Sequence, residues 1–240
     1  MSDRSPFFIL HSDLPREGPG CRADLDKALS HVTVPQNARI LDAGCGPGAD
    51  IDGLLAHAPQ GHVTAVDGQA HFIAKVTEGW GHDTQVTAIA GDMLDQTGPF
   101  DLIWSAGALY FLGIERALAE MGTRLTQGGA LVFSELVYLV DDPAEELRID
   151  CEAEYPDIGS IDRLKDRVVA AGYQIRAAFP VSDEAWEEYY TPMDARVAKL
   201  RDGASAELAK VLDEGAAEAA IWRKYKRQFG YVQIVAVKET

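Results

Sequence analysis

The ten residues Leu41–Asp50, LDAGCGPGAD, gather small and acidic side chains into a pattern suited to holding a ligand. Gly44, Gly46 and Gly48 alternate with other residues, and Gly44, Gly46 and Ala49 satisfy the spacing G-x-G-x-x-G/A. Glycine removes the Cβ atoms that keep a ligand off the backbone, and it permits the positive φ of a tight turn. With a strand before the loop and a helix after it, the helix N-terminus adds free N–H groups facing the ligand. Asp67 stands 19 residues beyond Gly48. In a doubly wound sheet a carboxylate at about that separation reaches the ribose hydroxyls of an adenosine-bearing ligand. An acid there disfavours a 2′-phosphate, which makes NADP the poorest fit. A glycine turn between strand and helix also arises for packing alone, and the combination with Asp67 is what favours a ligand.

These residues need a scaffold, and the chain around them alternates short β-rich runs with helical stretches. Strands are expected at 38–43, 62–67, 86–90, 101–105 and 130–136. Helices are expected at 50–58, 69–78 and 114–125, the last stopping at Gly128-Gly129. Near-continuous apolar strands separated by helices predict an α/β fold, with a parallel sheet covered on both faces. The first strand delivers Asp42 and the loop, and the second ends at Asp67. Further on, a helix at 161–171 precedes Gly172, a strand follows at 173–179, and 183–228 reads as helix throughout before a last strand, Tyr231–Val237. Another helix is expected at about 22–31, after the turn Arg16–Gly20. We read one domain over 1–240: a helical cap at 1–35, a ligand-binding core at 36–181, a helical lid at 182–228 and the final strand at 229–240.

Bulk composition excludes several classes. The net charge is −16, from 22 Lys+Arg against 38 Asp+Glu, which argues against a surface that must neutralise many phosphates. Three scattered cysteines without a C-x-x-C pair, and six histidines without an H-x₃-H pair, indicate neither a disulfide framework nor a metal site. The apolar run Pro6–Leu10 is too short for a signal-peptide core, and no run approaches a membrane span. A cytoplasmic protein without nucleic-acid or membrane partners is expected, and a homodimer is left open.

Asp67 alone fits NAD as well as S-adenosylmethionine. Further motifs separate them. Asp42, two positions before Gly44, gives D-x-G-x-G-x-G and puts an acid where dinucleotide fingerprints carry an apolar strand residue. Gly91-Asp92-Met93 follows the third strand, "FDLIWS" opens at Ala106-Gly107, and "LTQGGALV" leads into the fifth strand. With these motifs in this order, residues from about 38 to 138 resemble the class I S-adenosylmethionine-dependent methyltransferases, in the small-molecule branch loosely called type 11. "REGPG", "IWSAGALYFLGIERAL", "AEYPDI", "AAGY" and "WRKYKRQFGYV" look like a bacterial subgroup of it.

The resemblance implies a Rossmann-like, doubly wound, seven-stranded, mostly parallel sheet whose last strand is antiparallel beside the fifth, a role "YVQIVAV" suits. It implies that Gly44, Gly46 and Gly48 lie against the methionine portion of S-adenosylmethionine and that Asp42 helps hold the amino group. Asp67 then takes the ribose hydroxyls with Gly68 and Gln69 adjacent. Asp92 and Met93 flank the adenine, and Ser105, Ala106 and Gly107 pass the sulfonium, which becomes neutral S-adenosylhomocysteine after transfer.

Methyl transfer from a sulfonium is an in-line displacement, and alignment of the two reactants can supply ~7–11 kcal/mol. Where the acceptor must also lose a proton, Tyr110 and Glu135 are the candidates nearest the strand ends. Trp186, Tyr189, Tyr190 and Trp222 are ordinary core aromatics, or else an apolar or cation-binding wall of the acceptor pocket. His11 lies in the N-terminal segment that would close over the cofactor, and the resemblance implies that Arg16 with the Gly18-Pro19-Gly20 turn is a mobile flap contacting the cofactor carboxylate or the substrate. The fourth strand runs into Ser105-Ala106-Gly107-Ala108, not into the Asp/Asn-Pro-Pro-Tyr/Phe run used on planar nitrogens, and no Pro-Cys nucleophile is present. The expected activity is therefore methylation of a small molecule. Two alternatives remain: a non-catalytic module that binds the cofactor, and an NAD-dependent oxidoreductase, for which no Tyr-x-x-x-Lys or histidine dyad follows the fifth strand.

Overall fold

The structure is a computed structural model and describes residues 5–238, so the ends of the cap segment (1–4) and of the final segment (239–240) lie outside the described residues. Strands β1 (Arg39–Ala43), β2 (His62–Asp67), β3 (Val86–Ala90), β4 (Phe100–Ala106), β5 (Leu125–Tyr138), β7 (Tyr173–Pro180) and β8 (Phe229–Lys238) form one sheet in the order 3-2-1-4-5-8-7. β8 runs antiparallel between β5 and β7, as the resemblance implies. An eighth strand, the two-residue β6 (Gly159–Ser160), pairs in parallel with the end of β5 and corrects the expected count of seven. It is too short to leave a periodic signal.

Period-two alternation sends successive residues of each central strand to opposite faces. Leu41, Ile103, Leu131 and Phe133 pack under α5 (Ile114–Arg124) and α7 (Ile161–Ala170). Ile40, Leu102, Trp104 and Val132 pack on the other face, under α2 (Arg22–Leu29), α3 (Ile51–His57) and α4 (Ala70–Trp80). Burial on both faces is why these strands read as apolar runs.

Three expectations change. Gly128-Gly129 does not stop α5, which ends at Arg124. Leu125 already pairs with Phe100, and the ladder resumes at Ala130 opposite Leu102. The residues between are extruded as a bulge, with Gly128 at φ +79°. The segment 183–228 is two helices, α8 (Asp183–Arg201) and α9 (Ala206–Tyr225). They are separated by a turn in which Ser205 caps α9 by accepting from the Leu208 N–H. Two further helices, α1 (Pro6–His11) and α6 (Glu145–Glu154), lie where the sequence pattern gives no separate helix.

These appended helices share a core of their own, in which Leu10, Leu147, Trp186, Met193, Leu212 and Trp222 are buried together. Arg196 of α8 clamps α1 by donating to the carbonyls of Ile9 and Leu10 and to the Ser12 hydroxyl, and it pairs with Asp13. The strand order reverses between β1 and β4, and in open α/β sheets a crevice opens at that point beyond the carboxyl ends of the strands. The helical layer roofs that crevice. No helix among the described residues is long and apolar enough to cross a membrane.

Candidate functional site

One cavity of about 1510 Å³ runs from the carboxyl ends of β1, β2 and β4 to the underside of the helical layer. At its sheet end the loop after β1 is held by backbone bonds, the Gly44 and Cys45 N–H groups donating to the Val66 carbonyl at 2.9 and 3.0 Å. The Gly46 N–H donates to Asp67 Oδ2 at 3.0 Å. The loop and the end of β2 are thereby fixed to one another. Gly46 has φ +51°, and a Cβ there would point toward Glu17 across the cavity. Gly46 thus keeps the backbone open to whatever fills that space.

Asp67 lines the cavity beside Gly68 and Gln69, and its Oδ1 accepts from the Gln69 N–H at 2.8 Å. Asp42 lines it from below, only 2% exposed, with Oδ2 lacking a hydrogen-bond partner among the described residues. Burial pushes the Asp42 carboxyl well above its ordinary range. Repulsion from Asp50 and Asp67 adds to this, and Arg16 opposes it. Asp50 is itself oriented by the Trp104 indole N–H at 2.9 Å and by the buried Arg16 guanidinium at 3.3 Å. Arg16 also donates to the Gly18 carbonyl at 2.7 Å, which ties the REGPG turn to the start of α3. Asp92 and Met93 line the neighbouring wall, Asp92 Oδ1 accepting from the Leu94 N–H at 2.8 Å. Gly44, Ala106, Gly107 and Tyr110 complete this end. Burial, reinforced by Glu135 and Glu218, pushes the Tyr110 phenol to about 12.

Three expected site residues lie elsewhere. A Cβ on Gly48 would meet Ile51 Cδ1 at 2.9 Å and Val76 Cγ2 at 3.0 Å, so this glycine lets the loop seat on α3 and α4 and does not face the cavity. Ser105 is fully buried, and its hydroxyl donates to the Ala43 carbonyl at 2.8 Å, lacing β4 to β1. Glu135 alternates to the far face of β5, the side on which Phe133 and Val137 join the core, while its neighbour Leu136 lines the cavity. It is 2% exposed, and neither carboxylate oxygen has a hydrogen-bond partner among the described residues. Burial pushes it to about 7, with the nearby Tyr155 hydroxyl and Arg167 acting in the opposite sense.

The far end of the cavity was only partly foreseen. His11, Trp186, Tyr189 and Tyr190 line it, whereas Trp222 backs Trp186 in a stack at 5.1 Å between ring centroids and stays out of it. Sequence reasoning missed Glu218 and Tyr231. The signal for Glu218 was present in the helical spacing Glu214, Gly215, Glu218, Ile221, which puts two acids on one narrow face with a small residue between.

Residues 40–129 match the family model of the methyltransferase domain. The malonyl-[acyl-carrier protein] O-methyltransferase of Enterobacter lignolyticus is 29% identical over 60% of this chain and 53% of its own length. The trans-aconitate 2-methyltransferase of Variovorax paradoxus is 26% identical over 79% of this chain and 73% of its own. The chain thus spans about half the length of the first of these relatives. Among solved structures, a S-adenosylmethionine-dependent methyltransferase of Geobacter sulfurreducens in complex with S-adenosylhomocysteine superposes with a TM-score of 0.82 at 20% identity. That likeness covers 98% of each chain and concerns the fold.

Proposed function

We propose that the chain, whose residues 40–129 match the methyltransferase domain model, transfers the methyl group of S-adenosylmethionine to a small molecule held beneath its helical layer. The observation that carries this reading is the continuity of the cavity, which joins the glycine loop and Asp67 to a chamber walled by aromatic side chains. The donor set fits the cofactor. The unpartnered Asp42 Oδ2 is a buried acceptor suited to a cationic amino group, whose arrival would stabilise the ionised carboxylate. The open backbone at Gly46 suits close contact, and Asp67 accepts the ribose hydroxyls through lone pairs that its two backbone bonds leave free. Arg16, fixed by Asp50, offers its remaining N–H groups to the carboxylate. Asp92 and Met93 hold the adenine edge.

The bound cofactor supplies an activated methyl group, and the chain's own residues supply position. Gly107 and Tyr110 stand where the two ends of the cavity meet in this reading, and the appended helices cover part of the acceptor's place. Glu135 takes no part, because it faces away from the cavity. Titration calorimetry tests the reading. S-adenosylmethionine and S-adenosylhomocysteine should bind, and Asp67→Ala should weaken both about 100-fold. Heat with NAD and none with either sulfur ligand would overturn it in favour of a dehydrogenase.

A further inference from the structure

The acceptor end of the cavity has a chemical character of its own. Tyr189, Tyr190 and Trp186 of α8 present ring surface there, joined by Tyr231 of β8 and Tyr110. All three residues from α8 are below 7% exposed, so the wall is fixed by packing. Glu218 of α9 reaches in among them. Its Oε1 accepts from the Tyr190 hydroxyl at 3.0 Å, and no group among the described residues donates to its Oε2. Glu218 is exposed, and it lines the cavity. Asp150 and Glu154 of α6, with Glu214 of α9, line the same chamber.

Positive charge is scarce there. Among the described residues two basic side chains line the cavity, and both are engaged: Arg16 on Asp50 and the Gly18 carbonyl, and His11 on Glu17 at 2.6 Å. No described lysine lines it. A carboxylate acceptor would enter a chamber of like charge in which no described cation is free to meet it. An ammonium finds the reverse: a carboxylate oxygen without a protein donor, and tyrosine and tryptophan rings whose faces attract cations.

We propose that the acceptor site takes a small organic cation, an amine protonated at neutral pH, seated against Glu218 within the rings of Tyr189, Tyr190 and Tyr231. This deepens the methyltransferase reading and rests on it for the role of the amine as acceptor. It separates this chain from the two named relatives, whose acceptors, by their names, carry carboxylates. Trp186, Tyr189, Tyr190, Glu218 and Tyr231 lie outside the matched segment 40–129, and Tyr110 lies within it.

The test uses the full chain saturated with S-adenosylhomocysteine, and calorimetry with matched probes: 2-phenylethylammonium and tetramethylammonium as cations, 3-phenylpropionate and trans-aconitate as anions. The cations should bind at least tenfold more tightly than the anions, with a change in tryptophan fluorescence from Trp186. Glu218→Gln keeps the side chain's shape and a hydrogen bond to Tyr190, and should weaken the cations about tenfold while leaving S-adenosylhomocysteine affinity unchanged. Glu152→Gln, on the outer surface of α6, should change neither. Binding of the cofactor product with preference for the anions, or indifference to Glu218→Gln in a variant that melts like the parent, would overturn the amine proposal alone. Failure of S-adenosylhomocysteine to bind would instead overturn the methyltransferase reading, and cation binding would then still report on the chamber.

Discussion

The two ends of the cavity are built by opposite strategies. The sheet end is made of backbone: Gly46 N–H on Asp67, Gly44 and Cys45 N–H on Val66, all within a short stretch of chain between β1 and the end of β2. The chamber end is made of side chains brought from α1, α6, α8, α9 and β8, elements spread over more than 200 residues. Backbone geometry at strand ends depends on a few glycines and the sheet, so it tolerates wide drift elsewhere. A side-chain wall can be rewritten one residue at a time. A fold can in this way hold one cofactor and change its acceptor, and substitutions at the two ends should have different consequences.

The largest effect is expected at the sheet end. Gly48→Val forces a β-branched side chain to φ +88° and into Ile51 and Val76, at a cost of about 4 kcal/mol. Thermal melting should show a fall of ten degrees or more and loss of cofactor binding with it. A variant that melts like the parent would break the claim that this end is set by backbone. Glu135→Gln comes next and belongs to neither end. Because the folded protein holds the Glu135 carboxyl near 7, above its ordinary 4.5, the folded state binds the extra proton between those values. Stability from this group is therefore highest below about pH 4.5, falls as pH rises, and levels off above about 7. The glutamine variant should be more stable than the parent at pH 8, by at most about 3 kcal/mol, and gain nothing at pH 4.5. Equal gains at both pH values would contradict it.

Arg16→Ala sharpens the comparison at the junction between cap and loop. Removing the guanidinium frees Asp50 and the Gly18 carbonyl, and should weaken S-adenosylhomocysteine about tenfold, read by calorimetry, with little change in amine binding. The smallest effect is expected from Tyr190→Phe, which removes one donor to Glu218 and leaves the ring in place. Cation affinity should shift by no more than about 1 kcal/mol. A larger loss would mean that the hydroxyl and not the ring surface dominates the chamber.

Legibility followed the same division. Asp42, Gly44, Gly46, Asp67, Asp92 and Met93 stand around one cavity because strand, loop and acid lie close in sequence and their spacing is set by the sheet. Ser105 and Glu135 sit on the same kind of strand ends, but a strand alternates its faces, and the sequence does not say which face the cavity takes. Gly48 belongs to the same loop, yet its side of the turn is decided by the packing of α3 and α4. The Gly128-Gly129 pair reads equally as a helix stop or a bulge, and the register of Phe100 on Leu125 decides it.

What the sequence determined by itself is whatever depends on near neighbours: the order of the seven longer strands and of the helices among the first five, the glycine loop, the acid at the end of β2, and the excess of acid over base. The tertiary structure alone decided that α8 and α9 fold back over the crevice, that Trp222 supports the wall without lining it, and that Glu218 enters the chamber while Glu135 does not. The physical reason is range. Turn geometry and strand alternation act over a few residues, whereas a pocket wall is a set of contacts between helices, and those follow from how apolar faces find one another in three dimensions.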